Sequence, residues 1–313
     1  MATILPQVQA PALATSMMAA LYGAVRTWDD TITLTDLFGY SGHAFILNIE
    51  RTLCPSGPTA WDWGAILFPL RQMFSLRRVC ASCDMRGADE ARELIWQRTM
   101  ESINDGRPAI LWDAVYPEFY LAVGYDADRL EYIVQGPGAA HTQGRVPYVR
   151  LGMHTCQVWA LFPAPKSKAD RASARELALR GAVTWQRWPN PPDAQWTFGG
   201  EAWAVWIAAL TEEEVAHASD HLSYTHHVFA ECRRHAAAFL AGLGPAYADA
   251  AEAYRRVADA LDAVCAAWPY PGPAPALTER RRLATLLAQA RDAEAAGIQA
   301  LEAALGGARA VRA

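Results

Sequence analysis

Charge is scarce in this chain. Asp, Glu, Lys and Arg make up 19% of its 313 residues and leave a net charge of −5, against roughly 25% charged residues in an average soluble domain. No basic tract occurs, which argues against nucleic acid as a partner, because phosphate binding needs clustered Lys and Arg. No apolar run reaches the ~18 residues that a membrane span requires, so no membrane partner is expected. The first residues, Met1 to Pro6, have neither the positive n-region nor the apolar core of a secretory signal, and the expected location is cytoplasmic. Six cysteines, at 54, 80, 83, 156, 232 and 265, do not form a disulfide framework for a chain this large and fit a reducing compartment. There is no P-loop, no dinucleotide fingerprint and no HExxH, so no cofactor and no metal are expected. No internal repeat is evident.

What is present is apolar and aromatic. At 52% hydrophobic residues the chain can bury a sizeable core, and its length suggests two domains. Twelve tryptophans are many. Trp61, Trp63, Trp185, Trp188 and Trp196 are expected in loops, where they could line a pocket or lock two domains together. Residues 11–28 predict a helix that is apolar nearly all round, hence central and buried. Strands are predicted at 44–49, 79–85, 109–112, 119–123, 130–134 and 156–162, and helices at 66–74 and 89–105. The Pro- and charge-rich stretch 163–170 predicts a linker. Beyond it, Ala, Glu and Arg at helical spacing predict helices at about 171–182, 200–210, 212–242, 246–267 and 278–305, the last two pairing as a hairpin. The expected architecture is an α+β domain, residues 1–165, with a central helix on a mainly antiparallel sheet. A helical bundle, residues 166–313, follows it.

The chain is organised around residues 105–126. Two short apolar runs there, 109–112 and 119–123, read as strands buried on both faces. Asp113 and Glu118 stand at their ends, where a buried carboxylate must be paired, hydrated or used. Asp113 reads as a hydrated loop acid or a substrate contact. Glu118, pinned between Pro117 and a strand, reads equally as structure or function. Ser16 starts the central helix, where a hydroxyl is ordinarily a cap and, in favourable settings, a nucleophile helped by the helix dipole. With His43 as a proton acceptor it completes a set of three residue types suited to acyl chemistry. Trp112, Asp113, Tyr125, Trp61 and Tyr40 are candidate substrate contacts. Cys80 and Cys83 form a lone CxxC, read as structural. The helix carrying Glu213, His217, Asp220, His221, His226, His227, Glu231 and His235 places several of these on one face at helical spacing, more simply a polar bundle face than a metal site.

Four segments together, Ser16 to Leu21, Gly39 to Phe45, Gly106 to Trp112 and Glu118 to Asp126, resemble the N-terminal papain-like domain of the butirosin-biosynthesis-protein-H type. That group is related to the bacteriocin-processing cysteine peptidases. The helical half is similar to the region that follows this domain in such proteins, through Arg234 to Leu240 and Ala290 to Glu294. The resemblance implies a papain-like fold, and acyl transfer or amide cleavage by a Cys on the first helix, a His on a strand and an Asp on the next. Carried over, the Cys position falls on Ser16, the His position on Glu118, and the Asp position near Gly136 and Pro137. All three depart from the pattern. The implied function is therefore a divergent enzyme acting on a small-molecule amide, ester or biosynthetic intermediate, with Glu118 as acid or base. The alternative is a catalytically inactive homologue that binds a ligand or partner protein. The apolar hairpin and the spare tryptophans make a homodimer the expected assembly, should the chain self-associate.

Overall fold

The computed structural model describes the chain apart from residues 55–57, 59–61, 83–86, 192–193, 212–218 and 311–313; the side chains of 219–220 and 307–310 are likewise not described. It is an α+β chain of two compact units. The first comprises Met1–Leu37 and Arg71–Asp170, the second Phe38–Leu70 and Arg171–Ala313.

The first unit is built on a seven-stranded sheet whose pairings are all antiparallel. Its strands are β1 (Ala2–Ile4), β3 (Phe74–Ser82), β4 (Ala109–Trp112), β5 (Phe119–Asp126), β6 (Glu131–Gln135), β7 (Arg145–Pro147) and β8 (Gln157–Pro165), in the order β3-β8-β4-β5-β6-β7, with β1 added beside β5. Short connections from β4 through β7 make the meander that the turn signals predicted. β4 and β5 are almost wholly buried, as continuous apolar runs covered on both faces should be.

Two helices cover the two faces. Helix α1 (Ser16–Val25) buries nine of its ten residues. It packs on β5, β4 and β8, so closely that a Cβ on Gly23 would lie 2.6 Å from Leu121 Cδ2. Helix α4 (Ala88–Asn104) contributes Ile95 and Trp96 to a core with Ala109, Leu111, Tyr120 and Ala122. Leu121 and its neighbours Tyr120 and Ala122 point to opposite sides of the strand, which places α1 and α4 on opposite faces of the sheet.

The second unit contains α2's C-terminal part (α2 spans Leu34–Ser41), the short α3 (Trp63–Ile66), and α5 (Arg171–Gln186), α6 (Gly199–Thr211), α7 (Ser219–Gly242), α8 (Ala248–Ala267) and α9 (Leu277–Ala310). Helices α8 and α9 pack against each other, as their apolar spacing predicted. The unit is not purely helical: β2 (Asn48–Glu50) pairs antiparallel with β9 (Trp196–Phe198). Leu47 and Ile49 enter the same core as Trp203, Trp206, Phe229, Leu261 and Leu287. That pairing and that burial tie residues 38–70 to the helices. The chain therefore divides differently from the contiguous 1–165 and 166–313 expected, because a strand whose partner lies 150 residues on leaves no local sign of where it packs. Two further differences are local. The predicted 44–49 strand is a 3-10 turn at His43–Phe45 before β2, and in place of the predicted 66–74 helix stand the end of α3 at Ile66, a 3-10 turn at Pro69–Gln72 and the start of β3 at Phe74.

Inside this helical core, Arg233 and Glu294 form an ion pair of 2.7 Å with both side chains fully buried. Arg233 Nη1 also donates to the carbonyls of Ala44 and Ile46 at 3.1 and 2.8 Å. Trp203 Nε1 donates to Glu294 Oε2 at 2.6 Å. A buried pair needs such extra hydrogen bonds to offset its desolvation.

Candidate active site

Ser16 is the first residue of α1 and sits in the groove where that helix meets the start of β5. Its Oγ donates a hydrogen bond to Glu118 Oε2 and accepts one from the Phe119 amide at 3.1 Å. The hydroxyl is thus oriented from both sides, with its proton directed at a carboxyl. Ser16 is 5% exposed, and Glu118 is half-buried. Burial pushes the Glu118 carboxyl above its ordinary range, and the Ser16 hydrogen bond offsets part of that rise. Thr15 precedes the helix in an extended conformation and makes no side-chain cap. Ser16 accordingly is not an N-cap, the ordinary role for a hydroxyl at a helix start.

Aromatic rings continue the site along the α1 face of the sheet. Trp112 lies opposite Phe119 in the β4–β5 register, with ring centroids 4.6 Å apart. The Phe119 ring also meets Trp159 edge-on at 5.3 Å. Trp112 and Trp159 are half-buried, leaving apolar surface beside the Ser16–Glu118 pair. The position expected for an orienting acid, Gly136 and Pro137, carries none. There the Pro137 carbonyl accepts from the Tyr120 hydroxyl at 2.8 Å, and a Cβ on Gly136 would meet Tyr120 at 2.9 Å.

Asp113 is neither hydrated nor open to a substrate. It is fully buried, at φ +55°, and its carboxylate accepts four hydrogen bonds. These come from the His154 amide at 2.9 Å, His154 Nδ1 at 2.7 Å, the Thr155 amide at 2.8 Å and Thr155 Oγ1 at 2.9 Å. Trp112 Nε1 donates to the same Thr155 Oγ1 at 2.9 Å. His154 was invisible to sequence reasoning: it stands alone in a turn-rich loop, and its partner is 41 residues away.

Three other expected residues are placed elsewhere. His43 belongs to the second unit and is 1% exposed. It is stacked on Trp63 at 5.1 Å, and its Nδ1 is 3.5 Å from Cys232 Sγ. Burial, with Arg233 and His235 nearby, lowers its pKa to about 3, so it is a neutral core histidine and not a base for Ser16. Tyr40, in the same unit, packs edge-on against Phe239. Tyr125 is at the far end of β5, about 20 Å of strand from Phe119, and its hydroxyl donates to Asn104 at 2.9 Å. Trp61 lies outside the described residues, as do Cys83, Glu213 and His217. Cys80 is exposed and free. Of the histidine-rich helix, His221 Nδ1 lies 3.0 Å from the Leu53 carbonyl, His226 accepts from Trp206 Nε1 at 3.2 Å, and His235 stacks on Phe38 at 4.3 Å. Among the described residues no group of three or more His, Cys, Asp or Glu is arranged to hold a metal ion. None of their helices is long and apolar enough to cross a membrane.

The sequence matches no family model and no curated protein.

Proposed function

We propose that this chain is an acyl-transfer or hydrolytic enzyme for a small amide or ester, with Ser16 as nucleophile and Glu118 as its base. In this reading a papain-like scaffold has exchanged its thiol for a hydroxyl and its imidazole for a carboxyl. The observation that carries it is the hydrogen bond from Ser16 Oγ to Glu118 at the start of a buried central helix.

The chemistry follows from that bond. The ionised Glu118 accepts the Oγ proton as Oγ attacks the carbonyl carbon of the substrate. The developing oxyanion lies by the first amides of α1, which an α-helix leaves without intrahelical acceptors and which carry the positive end of the dipole. Collapse of the adduct expels the leaving group, which takes up a proton from its surroundings, and leaves an acyl-Ser16. A second nucleophile, water or an amine, then displaces Ser16 and gives up a proton to its surroundings, while Glu118 returns its own proton to Oγ. A desolvated carboxyl holds that proton better than a hydrated one, which suits a base that must keep it through the acyl-enzyme. Trp112, Phe119 and Trp159 offer an apolar wall for the acyl portion.

A ligand-binding homologue without turnover is the second reading. The 5% exposure of Ser16 favours it, since a nucleophile must be reached. Incubation with p-nitrophenyl esters of graded acyl length, followed by intact-protein and peptide mass spectrometry, separates the two. The enzyme reading requires an acyl adduct on the Ser16 peptide that Ser16→Ala abolishes. No adduct with any ester would leave the binding reading.

A further inference from the structure

We propose that His154, held by Asp113, is a second acid–base group of the reaction at Ser16, carrying the proton of the departing group and then that of the entering one. The inference rests on the reading of Ser16 and Glu118 given above.

The imidazole is built to work at its outer nitrogen. Asp113 is fully buried and accepts from three other donors besides the ring, at 2.8 to 2.9 Å. A carboxylate so engaged is an acceptor, so the 2.7 Å contact with His154 Nδ1 is an N–H donated by the ring. That fixes the tautomer and the ring plane and leaves Nε2 to gain or lose a proton. The His154 side chain is 40% exposed while that of its carboxylate partner is 0% exposed. A purely structural ion pair needs no such asymmetry. The backbone supports it too: the Asp113 amide donates to the Glu118 carbonyl at 2.9 Å, and the Asp113 carbonyl accepts from Gly152 at 3.1 Å.

The couple stands at the same end of the sheet as the Ser16 pair. Asp113 and Glu118 close the β4–β5 hairpin through that backbone bond. Thr155, the residue after His154, holds the indole of Trp112. Trp112 packs on Phe119, whose amide holds Ser16 Oγ. One hairpin end thereby supports a buried base and a more exposed one.

Two groups divide the protons of acyl transfer without remainder. In the first half, the Ser16 proton passes to Glu118 as the Oγ–acyl bond forms. Protonated His154 gives its Nε2 proton to the leaving group as that bond breaks. In the second half, neutral His154 takes the proton of the entering water or amine as the new acyl bond forms. Glu118 returns its proton to Oγ as the Oγ–acyl bond breaks. Both groups end as they began. Glu118 serves only the Ser16 oxygen, and His154 serves only the exchanging groups, which arrive from solvent.

Leaving-group dependence tests this. Single-turnover acylation is measured with a p-nitrophenyl ester, whose phenolate departs without a proton, and with the ethyl ester of the same acid, whose alkoxide needs one. In His154→Gln, an exposed-site change whose amide can still donate to Asp113, the rate ratio of nitrophenyl to ethyl ester is expected to rise about a hundredfold over the parent. Asp113→Asn should move the ratio in the same direction, and the ¹⁵N shifts of the His154 ring should move away from the Nδ1–H tautomer. Equal losses on both esters in His154→Gln, or none, overturn the inference while leaving the Ser16 reading intact. Parent-like acylation of both esters in Ser16→Ala overturns that reading, and the inference with it.

Discussion

Glu118 accepts a hydrogen bond from Ser16 across 102 residues of chain, and the same carboxyl is largely withdrawn from water. Its pKa is raised by that desolvation from an ordinary 4.5, and the sign of the consequence is definite. A carboxyl that holds its proton more tightly when folded loses stability as pH rises from its unfolded value through its folded one. Glu118→Gln removes this cost and keeps an oxygen for Ser16 to donate to. Its melting temperature by scanning calorimetry should equal or exceed the parent's at pH 7.5, and the difference should shrink as pH falls towards 4.5. A variant less stable than the parent at pH 7.5 would show that the carboxylate is there for structure.

Two core histidines set the acid limit of the fold. His43 and His226 are fully buried, and burial lowers each pKa from 6.5 to about 3. Below about pH 6.5 the unfolded chain binds protons that the native chain refuses. Stability therefore falls with pH until about 3, by up to ~1.4 kcal/mol per pH unit for each group. Urea midpoints taken between pH 7.5 and 4 should decline steadily below 6.5. A flat profile over that range would mean that these rings are not held neutral.

The Arg233–Glu294 pair should be costly to break and cheap to replace. Glu294→Ala leaves a guanidinium buried without its counter-charge and the Trp203 indole without its acceptor, a loss of about 3–5 kcal/mol. Changing both Arg233 and Glu294 to Met should recover most of this loss in urea denaturation. Additive losses in the double variant would show that the two charges do not stabilise each other.

The strands of the organising hairpin were legible because they are buried on both faces and read as continuous apolar runs between Gly and Pro signals. Helix α1 was legible for the same reason, and the antiparallel sheet with helices beyond it followed from the order of elements. The meeting of Ser16 with Glu118 was legible only through the resemblance, since nothing local links a helix start to a strand start. Spacing misled at His43. A histidine in a Ser-Gly-His turn looks available, yet the ring lies in the core against Trp63 and Cys232. Asp113 and His154 were hidden for a different reason. The left-handed backbone at Asp113 carries the chain away from strand alternation, so the period of two could not say which way the carboxylate turns or that a distant loop would enclose it. Short strands such as β2 and β9 carry too few residues to show a period and exist because they find each other.

Direct proof lies in the first turnover. Nitrophenolate release by the parent chain, Ser16→Ala and Glu118→Gln should be followed at high enzyme concentration, with near-UV circular dichroism confirming that each variant is folded. A burst stoichiometric with enzyme in the parent, abolished in Ser16→Ala and slowed at least a hundredfold in Glu118→Gln, is the expected result. A burst of parent size and rate in folded Glu118→Gln would contradict the assignment of Glu118 as the base.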